Sequence, residues 1–387
     1  MKNVAVIAEY NPFHNGHKYQ LEKIRQSGAE TITVCMNGNF TQRCSPALLE
    51  KHIRAKNAVM NGADLVIELP FVFGTASAER FAFGGVHILN GLGFVDTLCF
   101  GSEYGSIEIF EEILASLSVV EKTGMIPYYL KQGISYPAAR QRALNDAGCP
   151  YQLANPNDIL ALEYMKALKK TKSAMLPFTM ARVGEYNSDK PVGDILSASG
   201  IRMMFKQGLD FSPFVPGDVC LDMRQAEINQ EIASEDQFDF LVLNFLKRLS
   251  YERNLTFEQI YGVSEGIENR ILKNANSVSL QELCNTVKTK RYTMSAVRRA
   301  VFSIFFEMEK QLRMPDYIHV LAFNDRGRRL LRQIKKQNAL HVFHTLPVPD
   351  QNYFIKKESF SSDVWQQLCA KKGRGGIEFV QGSVYIS

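Results

Sequence analysis

Long apolar runs and paired cysteines are both missing from this sequence, and each absence excludes a class of protein. No apolar run approaches the roughly 18 residues that span a bilayer, and the longest candidate, residues 65–73, is interrupted by Glu68. The seven cysteines are widely separated and include no C-x-x-C pair, so neither a zinc knuckle nor a disulfide framework is predicted. We therefore expect a globular protein with no membrane span and no disulfide-linked partner.

The common glycine-rich nucleotide loops and a secretion signal are missing as well. The sequence has neither a Walker A loop nor a G-x-G-x-x-G fingerprint, which argues against the P-loop and dinucleotide-oxidoreductase classes. A strand-like run at 4–8 follows Met1 so closely that a signal peptide has no room before Glu9. We therefore expect a cytoplasmic protein with reduced thiols.

Short β-branched runs alternate with longer amphipathic stretches through the first two hundred of the 387 residues. This alternation is typical of βαβ units and a parallel sheet. Strands are expected near 4–9, 31–36, 65–69, 97–100 and 175–182. One of the helices is expected over 46–60, with Ser45 as its N-cap and Pro46 in its first turn. The predicted fold class is α/β, with a Rossmann-like doubly wound parallel sheet.

The character of the sequence changes near residue 215. Helical patterns dominate from there to about residue 314. A small α/β pattern follows, with an apolar run at 317–323, a basic helix at 327–336 and strands at 340–346 and 377–380. We therefore predict three domains, which are the sheet domain at 1–212, a helical domain at 213–314 and a small basic α/β segment at 315–387.

Positive charge is concentrated at the C-terminal end of the chain. The net charge is +5, but residues 286–387 carry 18 Lys and Arg against 8 Asp and Glu. The basic residues form two groups, Lys288, Lys290, Arg291, Arg298 and Arg299, and then Arg326, Arg328, Arg329, Arg332, Lys335 and Lys336. One such group is usually a solvated helix face. Several in an acid-poor segment favour a polyanion partner, because neutralising phosphates is the main source of nucleic-acid affinity.

The clearest chemical motif lies where the first predicted strand ends. Residues 4–17 read V-A-V-I-A-E-Y-N-P-F-H-N-G-H, which predicts a buried strand, a loop and the start of a helix. In an open α/β sheet, ligands bind at the carboxyl ends of the strands, and a helix N-terminus there attracts an anion. Gly16 allows a ligand to approach closely, and His14 and His17 can donate hydrogen bonds to phosphate oxygens. A surface-loop or helix-capping histidine would explain one of the two, but not both.

A second motif, I-L-S-A-S-G-I-R at 195–202, is predicted to be a turn that leads into a helix. Ser199 is expected to cap this helix, and Arg202 is expected to contact β- or γ-phosphate oxygens. An ordinary N-cap would explain the serine alone. The occurrence of this second motif together with the first one favours phosphate binding.

The two motifs resemble known signatures. H-x-G-H after a first strand resembles the signature of the nucleotidyltransferase superfamily, and the second motif is similar to its S-S-T-x-I-R turn, with Ala198 and Gly200 at usually polar positions. The whole chain resembles one bacterial family, the tRNA(Met) cytidine acetate ligases. The marks of that family are A-E-Y-N-P-F-H-N-G-H at 8–17, M-N-G-N-F-T-Q-R at 36–43, G-A-D-L-V-I-E-L-P at 62–70, F-G-S-E at 100–103 and S-E-G-I-E-N at 264–269.

This resemblance implies an enzyme that activates acetate with ATP as acetyl-adenylate and releases pyrophosphate. The acetyl group then passes to N4 of the wobble cytidine of elongator tRNA(Met). ATP and acetate are the expected substrates, with Mg²⁺ as the companion of the nucleotide and no metal site built by the protein. Catalysis is assigned to His14 and His17. Asp64 is a further candidate for organising metal or substrate, and a turn-forming role for it is equally open.

The family places ATP against residues 7–20, Gly101, Asn157 and Arg182, and the second motif adds Ser199 and Arg202. The first segment consists of Ile7, Ala8, Glu9, Tyr10, Asn11, Pro12, Phe13, His14, Asn15, Gly16, His17, Lys18, Tyr19 and Gln20. Without the resemblance, Gly101 could be a strand-end turn, Asn157 a helix cap and Arg182 a surface residue. From charge, the tRNA is expected to bind Lys288, Lys290, Arg291, Arg298, Arg299, Arg326, Arg328 and Arg329.

Two other functions stay open on the sequence. A small-molecule adenylyltransferase would use the same two motifs, although the basic C-terminal segment counts against it. A non-catalytic RNA-binding scaffold would keep the fold, although the intact His14, His17, Ser199 and Arg202 count against that. No residue is identified as the general base for the amine of cytidine.

Overall fold

The fold is built on one mixed sheet that is flanked by helices. The computed structural model describes residues 1–181, 191–252, 255–264, 266–337, 340–348 and 352–387. The strands in these ranges are β1 (Asn3–Ala8), β2 (Thr31–Asn37), β3 (Leu65–Leu69), β4 (Thr97–Ser102), β5 (Leu176–Ala181), β6 (Tyr317–Phe323), β7 (His341–Phe343) and β8 (Val384–Tyr385).

Helices fill most of the chain between the strands. Those of the N-terminal half are α1 (Asn15–Gln26), α2 (Lys51–Met60), α3 (Phe71–Gly74), α4 (Ala78–Leu92), α5 (Ile107–Thr123), α6 (Met125–Lys131), α7 (Tyr136–Asp146) and α8 (Pro156–Lys170). Those that follow are α9 (Ala198–Lys206), α10 (Gly217–Ile228), α11 (Glu235–Leu249), α12 (Ile267–Lys273), α13 (Leu280–Val287), α14 (Met294–Phe305), α15 (Asp325–Gln337) and α16 (Tyr353–Leu368). No helix in the described ranges is both long and apolar enough to cross a bilayer.

The strand order is β5-β4-β1-β2-β3-β6-β7, and β8 pairs with β6. Strands β1 to β5 are parallel, as predicted for a doubly wound sheet. The order reverses between β1 and β4, and the crevice at the carboxyl ends of two such strands is the usual ligand site of this architecture. The sequence motif that follows β1 therefore opens directly onto this crevice.

The C-terminal segment completes the same sheet. Strand β6 lies antiparallel to β3, with Phe323 opposite Leu65, and β7 and β8 run parallel to β6. The segment at 315–387 thus shares the sheet of the segment at 1–212. The division into three domains stays a prediction.

Side chains that alternate along the strands pack into two hydrophobic cores, one on each face of the sheet. One face packs Leu65, Ile67 and Leu98 with α4, α5 and α8, while the other packs Val4 and Val6 with α1, α2, α9 and α10. A third cluster joins helices α11 to α14 and α16. All seven cysteines are in the described ranges, where each is buried and forms no disulfide.

Two local expectations are wrong. The helix predicted over 46–60 begins at Lys51, with Glu50 as its N-cap, because Pro46 instead pairs with Phe40 across a loop. The strand predicted at 377–380 is a short 3-10 turn at Ile377–Phe379.

Candidate active site

The loop after β1 is fixed by both histidines of the first motif. His14 is the N-cap of α1, and its Nδ1 accepts from the backbone N–H of Gly16 at 3.1 Å. His17, in the first turn, accepts at Nδ1 from the N–H of His14 at 3.3 Å, and the two rings stack with centroids 3.6 Å apart. A ring nitrogen that accepts carries no proton, so these two contacts assign the proton of each imidazole to Nε2. Each histidine therefore has Nε2–H as its donor.

The second motif forms the start of α9. Ser197 is the N-cap, and its hydroxyl accepts from the N–H of Gly200 at 3.1 Å. The expectation that Ser199 caps this helix is wrong, because the helix already begins at Ala198. The Ser199 hydroxyl instead lies 3.0 Å from that of Ser197 in the first turn. Two serine hydroxyls thus lie together at this helix N-terminus.

Hydrogen bonds join the two motifs. Arg202 of α9 donates to the carbonyl oxygen of Asn11 at 2.6 Å. Asn15 of α1 donates to the carbonyl oxygens of Asp194 and Pro213 at 3.0 and 2.9 Å. Segments that lie nearly two hundred residues apart are therefore held as one structural unit.

A cavity of about 320 Å³ opens between these motifs at the carboxyl edge of the sheet. This volume falls within the roughly 300–1,000 Å³ of small-molecule sites. Of the residues predicted to bind ATP, those that line it are Ile7, Ala8, Glu9, Tyr10, Asn11, His14, Gly16, His17, Tyr19, Gln20, Gly101, Asn157, Ser199 and Arg202. Pro12, Phe13, Asn15 and Lys18 are not among the lining residues, and Arg182 lies outside the described residues.

One wall of the cavity is apolar and was not predicted. Phe81, Phe100, Leu160 and Tyr164 line it and also belong to the core on the α4 and α8 face or pack against it. The rings of Phe100 and Tyr164 are 5.5 Å apart. In sequence these residues are ordinary core positions of a strand and two helices, so their pattern carries no signal of a site.

A polar wall comes from the loop after β2. Thr41, Gln42, Arg43 and Ser45 line the cavity, and the loop is tied down where Oε1 of Glu9 accepts from the N–H of Gln42 at 2.6 Å. These residues were also missed as site residues. The sequence feature that could have identified them is the family motif at 36–43, which includes Thr41, Gln42 and Arg43.

A buried arginine joins the loops on either side of this wall. The guanidinium of Arg54 donates to the carbonyl oxygens of Glu9, at 2.7 Å, and of Leu49, at 3.0 Å, and also to that of Gly38. Arg54 is 1% exposed. Charge-assisted hydrogen bonds of this kind are about twice as strong as neutral ones, so Arg54 sets the spacing between the chain after β1 and the chain after β2.

Asn157 reaches the cavity from the first turn of α8. Its side-chain amide donates to Oε1 of Glu103 at 2.7 Å, and the N–H of Asp158 donates to the other oxygen of Glu103 at 3.1 Å. The helix N-cap is Asn155, so Asn157 is not the cap. The amide of Asn157 is thereby held in one orientation beside the cavity.

The structure does not bring Asp64 to this site. Asp64 immediately precedes β3, so it lies at the amino edge of the sheet, opposite the cavity. Its carboxylate pairs with Arg25 at 2.7 Å and accepts from the N–H of Ile32 at 2.8 Å and from Asn324 at 3.0 Å. The proposed catalytic role of Asp64 is therefore corrected to a structural one, in which it ties α1, β2 and the end of β6 together.

The residues predicted to bind tRNA lie in two separate regions. Arg298 and Arg299 of α14 donate to the carbonyl oxygens of Cys44 and Ala76, at 3.3 and 3.1 Å, in the loops that follow β2 and β3. They are therefore at the carboxyl edge, next to the cavity wall. Lys288, Lys290 and Arg291 are exposed in the turn before α14.

The second basic region starts at the opposite edge. Helix α15 follows β6, which ends beside the start of β3, and the N–H of Asn324 donates to the Asp64 carbonyl at 3.1 Å. Arg326, Arg328 and Arg329 are exposed in the first turns of this helix. The structure does not bring these three arginines to the cavity.

A group of buried charges lies beneath the polar wall. The ammonium of Lys51 contacts Glu68 at 2.7 and 2.8 Å and Glu378 at 2.6 Å, and Nδ1 of His319 lies 2.6 Å from Glu68. Burial alone would raise the pKa of Glu68, but Lys51 and His319 hold it well below its usual range. Glu68, His319 and Glu378 have a spacing that could suit a metal ion, but the Lys51 ammonium already provides the cation between the carboxylates.

Comparison with known proteins connects this site to a family. The chain matches the HIGH nucleotidyl transferase family over residues 1–375. It is 38% identical over 370 residues to the tRNA(Met) cytidine acetate ligase of Acetivibrio thermocellus, covering 88% of this chain and 87% of that protein. The chain belongs to the tRNA(Met) cytidine acetate ligase family of HIGH nucleotidyltransferases. The family assignment made from the sequence, and with it the ligase class, is confirmed.

Other members of the family match over nearly the whole chain. The tRNA(Met) cytidine acetate ligase of Thermoanaerobacter sp. is 34% identical over 398 residues, covering 97% of this chain and 98% of that protein. The crystal structure of Thermotoga maritima TmcAL bound with alpha-thio ATP has a TM-score of 0.86 at 29% identity, covering 100% of this chain and 99% of the other. Its apo form gives a TM-score of 0.88. The predicted fold class is confirmed by these structures.

Proposed function

We propose that this protein activates acetate with ATP and transfers the acetyl group to N4 of the wobble cytidine of elongator tRNA(Met). Acetyl-adenylate is the intermediate, and pyrophosphate is released in the first step. The observation that carries the proposal is that the two phosphate-type motifs meet at one cavity at the switch point of the sheet. The names of the relatives supply the substrates, because the cavity alone would also suit another adenylyl transfer.

The first step needs positioning and charge stabilisation more than covalent help. An acetate oxygen attacks the α-phosphorus in line, a P–O bond forms, and the bond to pyrophosphate breaks. Negative charge on the phosphate oxygens is met by the Nε2–H donors of His14 and His17 and by the N-terminus of α1. The Ser199 hydroxyl and the Arg202 guanidinium are assigned to the phosphates that leave.

The nucleotide would lie across the ends of β1 and β4. Gly101 and Asn157 line that part of the cavity, and the bond from Asn157 to Glu103 fixes which groups of the amide are presented. A turn role for Gly101 and a purely structural role for Asn157 would predict no change in the KM for ATP when either is substituted. We expect Asn157→Ala to raise that KM with a smaller change in kcat.

Mg²⁺ enters as the companion of ATP. Mg²⁺ in proteins is bound through one or two carboxylates together with substrate phosphates and water. The described residues of the cavity lining include a single carboxylate, that of Glu9, which does not make a protein-built site. We therefore place the ion on the phosphates and derive no step through it.

The tRNA is proposed to approach over the loop after β2. Arg298 and Arg299 lie against the loops that form this side of the cavity, and Arg43 lines the cavity itself. The exposed residues Lys288, Lys290 and Arg291 extend the positive charge away from it. Arg326, Arg328 and Arg329 start at the opposite edge, so we assign them no contact with the nucleotide that is modified.

The deciding experiment uses the protein with ATP, labelled acetate and an unmodified elongator tRNA(Met) transcript. Acid-stable label on the tRNA is expected, and it should disappear when the wobble cytidine is replaced. A His14→Ala variant should give no label and no pyrophosphate while still binding the transcript. If the wild-type protein gives no label but releases pyrophosphate with another acid or a phosphorylated metabolite, it is a small-molecule adenylyltransferase. If it binds tRNA and consumes no ATP, it is a scaffold.

A further inference from the structure

The second half of the proposed reaction needs a proton acceptor. When N4 of cytidine forms a bond to the acetyl carbon, the nitrogen must lose a proton. A positioned base at this stage typically contributes a factor of about 10²–10⁴ to the rate. The inference below rests on the proposed function, because it concerns this acetyl-transfer step.

The histidines of the cavity are poorly suited to this task. Nδ1 of His14 and Nδ1 of His17 each accept from a backbone N–H, so their Nε2 atoms carry protons and act as donors. Removing a proton from cytidine through Nε2 would require each ring to change tautomer and break its capping bond. The geometry that suits these rings to phosphate stabilisation thus makes them unsuitable as bases.

Two buried tyrosines of the cavity, Tyr10 and Tyr164, are unsuitable for a different reason. Burial, followed by the nearby thiol of Cys99, raises the pKa of Tyr10. Burial, followed by Cys35 and Glu9, raises the pKa of Tyr164. Neither phenol is ionised near neutral pH.

Glu9 is the carboxylate that remains. It immediately follows β1 and is the one acidic residue among the described residues that line the cavity. Its Oε1 accepts from the N–H of Gln42 at 2.6 Å and from the side chain of Asn37 at 3.4 Å, and the Arg54 guanidinium holds its backbone carbonyl. Within the described residues its Oε2 has no hydrogen-bond partner. One oxygen therefore positions the carboxylate and the other is available.

The charge of Glu9 also needs a reason. A carboxylate in a cavity that is to receive a triphosphate repels that ligand, whereas Arg43 and Arg202, which also line the cavity, attract it. A neutral glutamine could also hold the loop after β2 through its amide oxygen, although a carboxylate accepts more strongly. The loop contacts therefore require an acceptor at this position but do not require a negative charge.

We propose that Glu9 is the general base for acetyl transfer. The N4 lone pair attacks the acetyl carbon of acetyl-adenylate, the C–N bond forms, and the bond from that carbon to the phosphate oxygen breaks. AMP leaves with the electron pair, and the N4 proton passes to Oε2 of Glu9. Glu9 is therefore assigned to the second half-reaction, whereas His14 and His17 serve the first.

The test separates the two half-reactions. Acetate-dependent exchange of pyrophosphate with ATP reports the first, and single-turnover transfer from added acetyl-adenylate to the transcript reports the second. We expect Glu9→Gln to lower the transfer rate at least about 100-fold more than it lowers the exchange rate. Glu9→Asp, which keeps a carboxylate one methylene shorter, should transfer faster than Glu9→Gln. Urea unfolding followed by the fluorescence of Trp365 should give the wild-type midpoint for both variants, which would show that they are folded.

The other outcomes are also decisive. Equal transfer by wild type and Glu9→Gln would overturn the role of Glu9 and leave the proposed function intact. Equal losses in exchange and in transfer would place Glu9 in ATP binding and overturn its role as a base. If the wild-type protein itself transfers no acetyl group from acetyl-adenylate, the proposed function fails, and the role of Glu9 fails with it.

Discussion

Replacing Lys51 by methionine removes the ammonium that lies between two buried carboxylates. Lys51, Glu68 and Glu378 are all buried, and the ammonium contacts both carboxylates at 2.6–2.8 Å. Removing one partner of a buried ion pair costs about 3–5 kcal/mol, because the remaining charge has no compensation. Here two carboxylates are left, and of these Glu68 still has His319 beside it, so we expect a loss within that range. With a urea m value of about 3 kcal/mol per M, the unfolding midpoint falls by about 1–1.7 M.

The single tryptophan is a suitable probe for this measurement. Trp365 is buried, and its Nε1–H donates to the carbonyl oxygen of Ala47 at 2.8 Å, just before α2. Urea titrations at pH 7 would follow its fluorescence. The matched control is Lys56→Met on the same helix, whose partner Asp222 is partly exposed, so a loss of about 1 kcal/mol or less is expected.

A double substitution tests the same buried group in a second way. In Lys51→Met, adding Glu378→Gln removes one of the uncompensated charges, so the double variant should lose less stability than the sum of its single changes. Equal midpoints for Lys51→Met and Lys56→Met would refute the argument that the buried group depends on its ammonium. So would strict additivity of the two changes.

Three further predictions concern the site and its supports. His17→Ala should abolish acetate-dependent pyrophosphate exchange while leaving tRNA affinity nearly intact, and undiminished exchange would contradict its role. Arg298→Glu together with Arg299→Glu should weaken tRNA binding and lower the slope of log affinity against log salt concentration by about 2. The control Arg329→Glu should change that slope less, and equal effects would mean that the tRNA contacts both edges of the sheet. Burial, followed by Glu68, raises the pKa of Glu358 well above 4.5. Above pH 4.5 the folded state therefore binds more protons than the unfolded state, and wild-type stability falls as the pH rises. Glu358→Gln should therefore gain stability relative to wild type between pH 5 and pH 8 in urea titrations, and a constant difference would contradict the protonated state.

The sheet and the first motif were predictable because their signals are local. The run at 4–8 is a short apolar strand, and the residues after it carry a glycine and two histidines at the start of a helix. Parallel topology then places this loop at the ligand-binding edge without further information. The pairing of Phe323 with Leu65 could not be derived in the same way, because an antiparallel strand added from far along the chain leaves no local pattern.

Errors arose where a tertiary contact overrides a local preference. Ser45 and Pro46 form a favourable helix start, but the pairing of Phe40 with Pro46 keeps them in the loop that forms the cavity wall. Asp64 was assigned to the site from its residue type, although a residue that precedes a parallel strand lies at the edge opposite the ligand. Phe81 and Tyr164 line the cavity because two helices pack on one face of the sheet, which the sequence pattern shows only as core.

The way in which β6 and α16 complete the sheet domain has a consequence during protein synthesis. Asn39, in the loop after β2, donates to the hydroxyl of Ser362 at 3.1 Å, and these residues are 323 positions apart in the chain. At 5–20 residues per second, a ribosome needs on the order of 20–60 s to add the later partner. Through this interval the nascent chain already carries both histidines, but the loop that walls the cavity lacks its final support. We therefore expect a nascent chain that has not reached α16 to bind nucleotide poorly, so that activity begins only near the end of translation.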